Sequence, residues 1–201
     1  VGFVATDGAE GVSFRVTNVD ERFRRTEIAV AGSGIAGKVY AFLRKPPVKQ
    51  RSLTELSGLV SRQEFRGTTA LIVGGSRGLG ALTARVLAAG GARVVVTYYV
   101  GQEEAEEVAA EIGSEACRVL RYDARQDAAR QLADLEWPLN QLYYFATIQI
   151  FRQKAGVYLP RRFAEFCEIY VDGFHNICAA LSSQASSPLT VFYPSSIFVE
   201  N

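Results

Sequence analysis

Apolar positions repeat in two different ways along this chain, and the change falls near residue 50. In the first part Val12, Phe14 and Val16 alternate with Ser13, Arg15 and Thr17, and two more strand-like runs, 26–31 and 35–44, flank a Gly32-Ser33-Gly34 turn. A period of two sends successive side chains to opposite faces of a sheet, so this part predicts antiparallel β structure. Pro46-Pro47 ends it, and a polar segment with a short helix expected over 53–60 leads onward. The expected domains are an antiparallel β module over 1–48, a connecting segment over 49–66 and a larger domain over 67–201.

Beyond Gly67 short apolar runs alternate with stretches of helical period. Leu71-Ile72-Val73 suits a parallel strand covered on both faces. A helix is expected over 79–89, with Leu79, Leu82 and Val86 toward the core, then a strand over 92–98. The segment 102–112 places Ala105, Val108, Ala109 and Ile112 on one helical face and glutamates on the other. A strand over 117–122, a short helix over 124–133, a strand over 139–147, a long helix over 161–181 and a strand over 189–194 complete the pattern. Five strands joined by right-handed crossovers predict an α/β fold. It is a partial Rossmann three-layer sandwich with strand order 3-2-1-4-5, beside the small antiparallel module.

The chemistry concentrates where the first of these strands breaks, in TALIVGGSRGLG. Gly74, Gly78 and Gly80 let the backbone turn sharply and approach a pyrophosphate with no Cβ in the way, and a helix starting there offers unpaired N–H donors and the positive end of its dipole. An ordinary glycine-rich turn is the alternative, and the strand before and helix after weigh against it. At the end of the second strand a carboxylate would accept from a ribose 2′-hydroxyl and repel a 2′-phosphate. Thr97, Tyr98 and Tyr99 stand there instead, and Arg77 in the loop can reach the same pocket as a permanent cation. The expected cofactor is NADP(H); a solvated surface arginine is the other reading of Arg77, and the missing acid weighs against it.

Composition narrows the classes. With 201 residues, 48% of them hydrophobic, the chain can bury a core, and a net charge of +1 argues against a nucleic-acid or acidic-membrane partner. No apolar run approaches the roughly 20 residues of a membrane span, and a cytoplasmic location is expected. Cys117, Cys167 and Cys178 read as reduced core residues, and with one histidine, His175, no metal site is expected. The chain contains no methionine and begins with Val, so it is expected to be an excerpt, a proteolytic product or one part of a longer polypeptide.

EFRGTTALIVGGSRGLG, GARVVVTYY and EEAEEVAAEIG resemble the short-chain dehydrogenase/reductase family, in particular its 3-oxoacyl-thioester reductases; the likeness runs over 65–201. Gly74, Gly78 and Gly80 fall on the three glycines of the family's TGxxxGxG loop, with Val73 where Thr is usual. The resemblance implies an NADP(H)-dependent carbonyl reductase. Its implied cofactor contacts are Gly74, Ser76, Arg77, Gly78, Leu79, Gly80, Tyr98, Asp123 and Ala146, with Asp123 on the adenine; an acid just after a strand is also a common helix cap. VFYPSSIF matches the segment whose Ser holds the substrate carbonyl, which makes Ser196 the catalytic candidate; a plain strand-ending turn is the other reading. The family's Tyr-x-x-x-Lys pair would follow Asn201, so a cofactor-binding fragment, inert alone, is expected.

Two departures lie inside the matching region. The family's Asn-Asn-Ala-Gly is here Tyr144-Phe145-Ala146-Thr147, and the Asn of the long helix, which helps hold a water chain, is Tyr170. A non-catalytic nucleotide-binding or scaffold domain is therefore the alternative reading. The expected partners are a small-molecule or acyl-thioester substrate and either further copies of the chain or the rest of a longer polypeptide. NVDERFRRTEIAVAGSGIAGKVYAFLRKPPV is similar to the end of a hot-dog-fold thioester dehydratase, and a generic β extension explains it as well.

Overall fold

The structure is a computed structural model that describes residues 2–5, 11–43, 50–148, 159–184 and 188–194. It separates into two compact units, Val1–Lys49 and Gln50–Asn201.

The amino-terminal unit is a four-stranded antiparallel sheet of β1 (Gly2–Ala5), β2 (Val12–Asp20), β3 (Arg25–Gly32) and β4 (Ile35–Phe42), ordered β1-β4-β3-β2. The alternating run of β2 pairs with β3 from Val12 opposite Gly32 to Asp20 opposite Arg25, with one irregularity between Val16 and Asn18. Gly32 and Gly34 carry positive φ at the β3–β4 turn, as the Gly-Ser-Gly sequence requires. The strand β1 was not expected, because Gly-Phe-Val-Ala offers neither alternation nor length.

In the second unit a capping box at Ser52 and Glu55 starts α1 (Leu53–Ser57), which stops at Gly58, earlier than expected. Then come β5 (Thr69–Val73), α2 (Gly78–Ala89), β6 (Arg93–Tyr98), α3 (Gln102–Ile112), β7 (Cys117–Arg121), α4 (Ala128–Gln131), β8 (Gln141–Tyr144), α5 (Pro160–Cys167), a π-helical turn (Glu168–Gly173), α6 (Phe174–Gln184) and β9 (Thr190–Phe192). The sheet is parallel and ordered β7-β6-β5-β8-β9, which is the predicted 3-2-1-4-5.

Both faces of the central strands β5 and β6 are covered, which explains their continuous apolar character, while the edge strand β9 is exposed. Ala70, Ile72, Val94 and Val96 pack with Ala81, Ala84 and Leu87 of α2 and with Ala105 and Val108 of α3. Leu71, Val73, Val95, Leu142 and Tyr144 pack on the other side with Ala128, Leu132 and the α6 residues Ile177, Ala180 and Leu181.

Three expectations change in the structure. The buried stripe of α2 is Gly80, Ala81, Ala84, Leu87 and Ala89, while Leu79 is 64% exposed. Small residues take the inner face at the start of α2, where a Cβ on Gly80 would lie 2.2 Å from the Gly74 carbonyl oxygen, and Leu87 is buried farther along the helix. The helix expected over 124–133 shrinks to α4, since Asp123 ties down the intervening turn through Arg125 N–H and Asp127 caps the helix from its side chain. The long helix is interrupted by the π-helical turn, and Phe163 at its start is 57% exposed. Among the described residues no helix is long and apolar enough to cross a membrane.

Candidate functional site

The carboxyl ends of β5, β6 and β8 converge on the glycine loop. Gly74 has φ of 79°, and a Cβ there would stand 2.9 Å from the Phe145 carbonyl carbon and 3.1 Å from Ala146 N, so only glycine lets the end of β8 approach. Phe145 N–H donates to the Val73 carbonyl at 2.7 Å and fixes that approach. From the other side Thr97, 1% exposed, anchors the loop twice: its Oγ1 accepts from Gly74 N–H at 3.1 Å and its carbonyl from Gly75 N–H at 2.9 Å. Thr97 draws notice in the sequence as a missing acid. Its part in shaping the loop needs the parallel pairing of β5 with β6 to be seen.

At the start of α2 Gly78 has φ of 56°, and a Cβ placed on it would meet nothing within 4 Å. The loop is open there. Arg77 provides no side-chain cap, so the first-turn amides keep the partial positive charge of an unpaired helix end. Gly80, two residues on, is the opposite case: its Cβ would lie 2.2 Å from the Gly74 carbonyl oxygen. The first and third glycines are therefore packing requirements and the second leaves space for an anion. Ser76 is buried within the loop at 8% exposure, and Leu79 projects outward.

Arg77 crosses to the end of β6. Its Nη2 donates to the Val100 carbonyl at 3.1 Å, and its Nη1 lies 3.6 Å from Glu104 Oε1. Its side chain is 60% exposed, and ion pairs of this kind contribute about 0–1 kcal/mol, so the guanidinium can turn to another anion at little cost. Tyr98 packs against the core under α2 and α3, and its carbonyl accepts from Tyr122 N–H. Tyr99 is 49% exposed, with the Arg125 guanidinium 4.8 Å from its ring centroid.

Asp123 sits at the end of β7, and Arg125 grips its carboxylate with Nε on Oδ1 and Nη2 on Oδ2, both at 2.8 Å. The Arg125 hydrogen bond holds the Asp123 carboxyl below its ordinary value. The sequence reading missed Arg125; an acid and an arginine two apart after a strand was the available signal.

Beyond β8 the two departures from the family pattern meet. Tyr144 is fully buried and donates from its hydroxyl to the Ile169 carbonyl at 2.5 Å, while Tyr193, just past β9, donates to the Tyr170 carbonyl at 2.9 Å. Tyr170 and Thr147 are joined hydroxyl to hydroxyl. Ala146 packs against the core on the α6 side, and its backbone lies against Gly74. Ser195 and Ser196 lie outside the described residues. His175 is exposed on α6. The structure thus brings together Gly74, Arg77, Gly78, Gly80, Tyr98 and Ala146, with Asp123 one strand farther out.

Comparison with known proteins agrees with this geometry. The short chain dehydrogenase family profile matches residues 68–184. L-rhamnose 1-dehydrogenase (NADP(+)) of Thermoplasma acidophilum is 31% identical over 117 residues, which make up 57% of this chain and 43% of that protein. This chain therefore spans less than half the length of that curated relative. Among solved structures, gluconate 5-dehydrogenase of Burkholderia cenocepacia, in complex with NADP and tartrate, is 26% identical with a TM-score of 0.51, covering 61% of this chain and 51% of that one. A 3-ketoacyl-(acyl-carrier-protein) reductase of Brucella melitensis complexed with NADH is 28% identical with a TM-score of 0.52, covering 60% of this chain and 51% of that one. The profile covers more than half of the chain and contains the whole glycine loop and the strands that shape it: this chain belongs to the short chain dehydrogenase family.

Proposed function

We propose that this chain binds NADP(H) and serves a carbonyl reductase of the short-chain type, with 3-oxoacyl thioesters as the substrate class. The observation that carries the cofactor choice is Arg77 lying across the end of β6, where residues 97–99 hold no carboxylate. Gly74 and Gly80 make a cradle that a Cβ would fill, and the space over Gly78 suits a diphosphate, so the residues present fit a nicotinamide dinucleotide. Gly74, Ser76, Gly78, Leu79 and Gly80 would hold the diphosphate, Arg77 the 2′-phosphate, and Tyr98, Asp123 and Ala146 would border the nucleosides. Bound there, the cofactor supplies hydride chemistry. Ser196 is the proposed group that polarises the substrate carbonyl. The substrate class is supported by the likeness to a 3-ketoacyl reductase and by the segments around the loop.

The β module over 1–48 is proposed as a separate domain joined by 49–66. One observation favours the second reading, a binding domain without chemistry: Tyr144 and Tyr170 replace the amide side chains of the family, and the Tyr144 hydroxyl is spent on the Ile169 carbonyl. Following NADPH absorbance with 3-oxoacyl thioesters tests both. Oxidation dependent on the thioester supports the reductase, and nucleotide binding with no oxidation supports the binding domain.

A further inference from the structure

We infer that the Thr147 and Tyr170 hydroxyls form a paired-acceptor contact for the nicotinamide-nucleoside half of the dinucleotide. The inference rests on the proposed reading of the glycine loop and extends it to the other side of the sheet. Strand order reverses between β5 and β8, and a dinucleotide lies across such a switch point. With the diphosphate over Gly78 and the adenosine end toward Arg77 and β6, the second nucleoside falls toward the carboxyl ends of β8 and β9. Thr147 is three residues past β8 and exposed, and Tyr170 faces it from the π-helical turn.

Proton placement decides what the pair can bind. When Thr147 Oγ1 donates to the Ile148 carbonyl, 3.2 Å away, the hydrogen shared by the two hydroxyls comes from Tyr170. Both protons are then committed, while lone pairs remain on both oxygens, and no other described residue donates to either. The pair offers acceptors only. A nucleoside with ribose O–H groups and a carboxamide N–H₂ supplies matching donors; a phosphate, which lacks them, would be disfavoured.

The helix is shaped to hold this arrangement. A π-helical turn is uncommon and is found often at functional sites. Here two tyrosines on strand ends pin it, Tyr144 through the Ile169 carbonyl and Tyr193 through the Tyr170 carbonyl. Tyr193 also stacks on Phe174 with ring centroids 4.3 Å apart, and Tyr170 stacks on Phe166 at 5.5 Å. These contacts fix the Tyr170 ring without using its hydroxyl, so Phe can replace it and keep the packing.

The test compares binding of NADPH with binding of 2′,5′-ADP, which carries the adenosine and 2′-phosphate but no nicotinamide nucleoside. Calorimetric titration of wild type, Tyr170→Phe and Thr147→Val should show NADPH weakened about threefold to tenfold in each variant, from the loss of an acceptor. Affinity for 2′,5′-ADP should stay within about twofold of wild type. Equal weakening of both ligands would reveal a merely structural role and overturn the inference, as would NADPH binding that neither variant changes. Wild type binding neither ligand would instead refute the glycine-loop reading itself.

Discussion

Replacing Gly80 by Ala adds one methyl group at the tightest point of the loop. Its carbon would stand 2.2 Å from the Gly74 carbonyl oxygen and 2.9 Å from the Gly75 Cα, whereas ordinary contact begins at 3.4 Å. Helix α2 or the loop must therefore give way by roughly 1.2 Å, the difference between 3.4 and 2.2 Å. Both obstructing atoms are backbone, so no rotamer change relieves the clash. Overpacking of this kind costs about 1–3 kcal/mol, occasionally more. For a unit of this size that corresponds to roughly 2–12 °C in melting temperature. The displaced amides would also lose their aim at the diphosphate proposed to bind there, and a misplacement near 1 Å can cost binding on the order of a hundredfold. Gly78→Ala is the informative partner: it meets no atom within 4 Å but must adopt φ of 56°, a strain of about 1–2 kcal/mol, and it intrudes on the ligand's space. Thermal unfolding followed by dichroism, with titration of NADPH, reads both effects. A Gly80→Ala protein that melts and binds like wild type would refute the packing argument.

Two other outcomes follow from the electrostatics and burial. Arg125 lowers the Asp123 pKa, so the pair's stabilisation is complete above the unfolded carboxyl value, near 3.9, and is lost as pH falls through the lower folded value. Asp123→Asn should melt below wild type at pH 7, with the gap closing as pH falls below the ordinary carboxyl value, about 4; a gap that does not change with pH would contradict this. Burial pushes the Cys117 thiol up to about 11, so a thiol reagent at pH 8 should label Cys117 only at the rate of unfolding. Rapid stoichiometric labelling of Cys117 in the native protein would show that β7 is not packed as described.

The sheet order could be read from the sequence because each strand of the second unit is a short apolar run bounded by punctuation such as Gly74-Gly75, Gly90-Gly91 and Gly113, and because parallel crossovers have one favoured hand. The α2 stripe could not. A hydrophobic period favours Leu79 and Leu82, whereas the real inner face is set by how closely a helix can approach a sheet, a distance that Gly80, Ala81 and Ala84 encode by being small. The glycine loop pointed to an anion site through its spacing and its flanking strand and helix, yet the anchoring by Thr97 and the reach of Arg77 to Val100 depend on β6 lying beside β5. The Asp123 and Arg125 pair was hidden for a local reason: its acid reads equally as a cap, and only the turn that closes over it shows which arginine it holds. The tyrosine contacts were least visible. They join Tyr144, Tyr170 and Tyr193 from three elements, and a π-helical turn leaves no mark in a helical period.

Calorimetric titration of the protein with NADPH and with NADH, side by side at fixed ionic strength, tests the central claim most directly. Binding of NADPH at least about tenfold tighter, lost when Arg77 is replaced by Gln, is the predicted result. Equal affinities, a preference for NADH, or no heat with either nucleotide would contradict it.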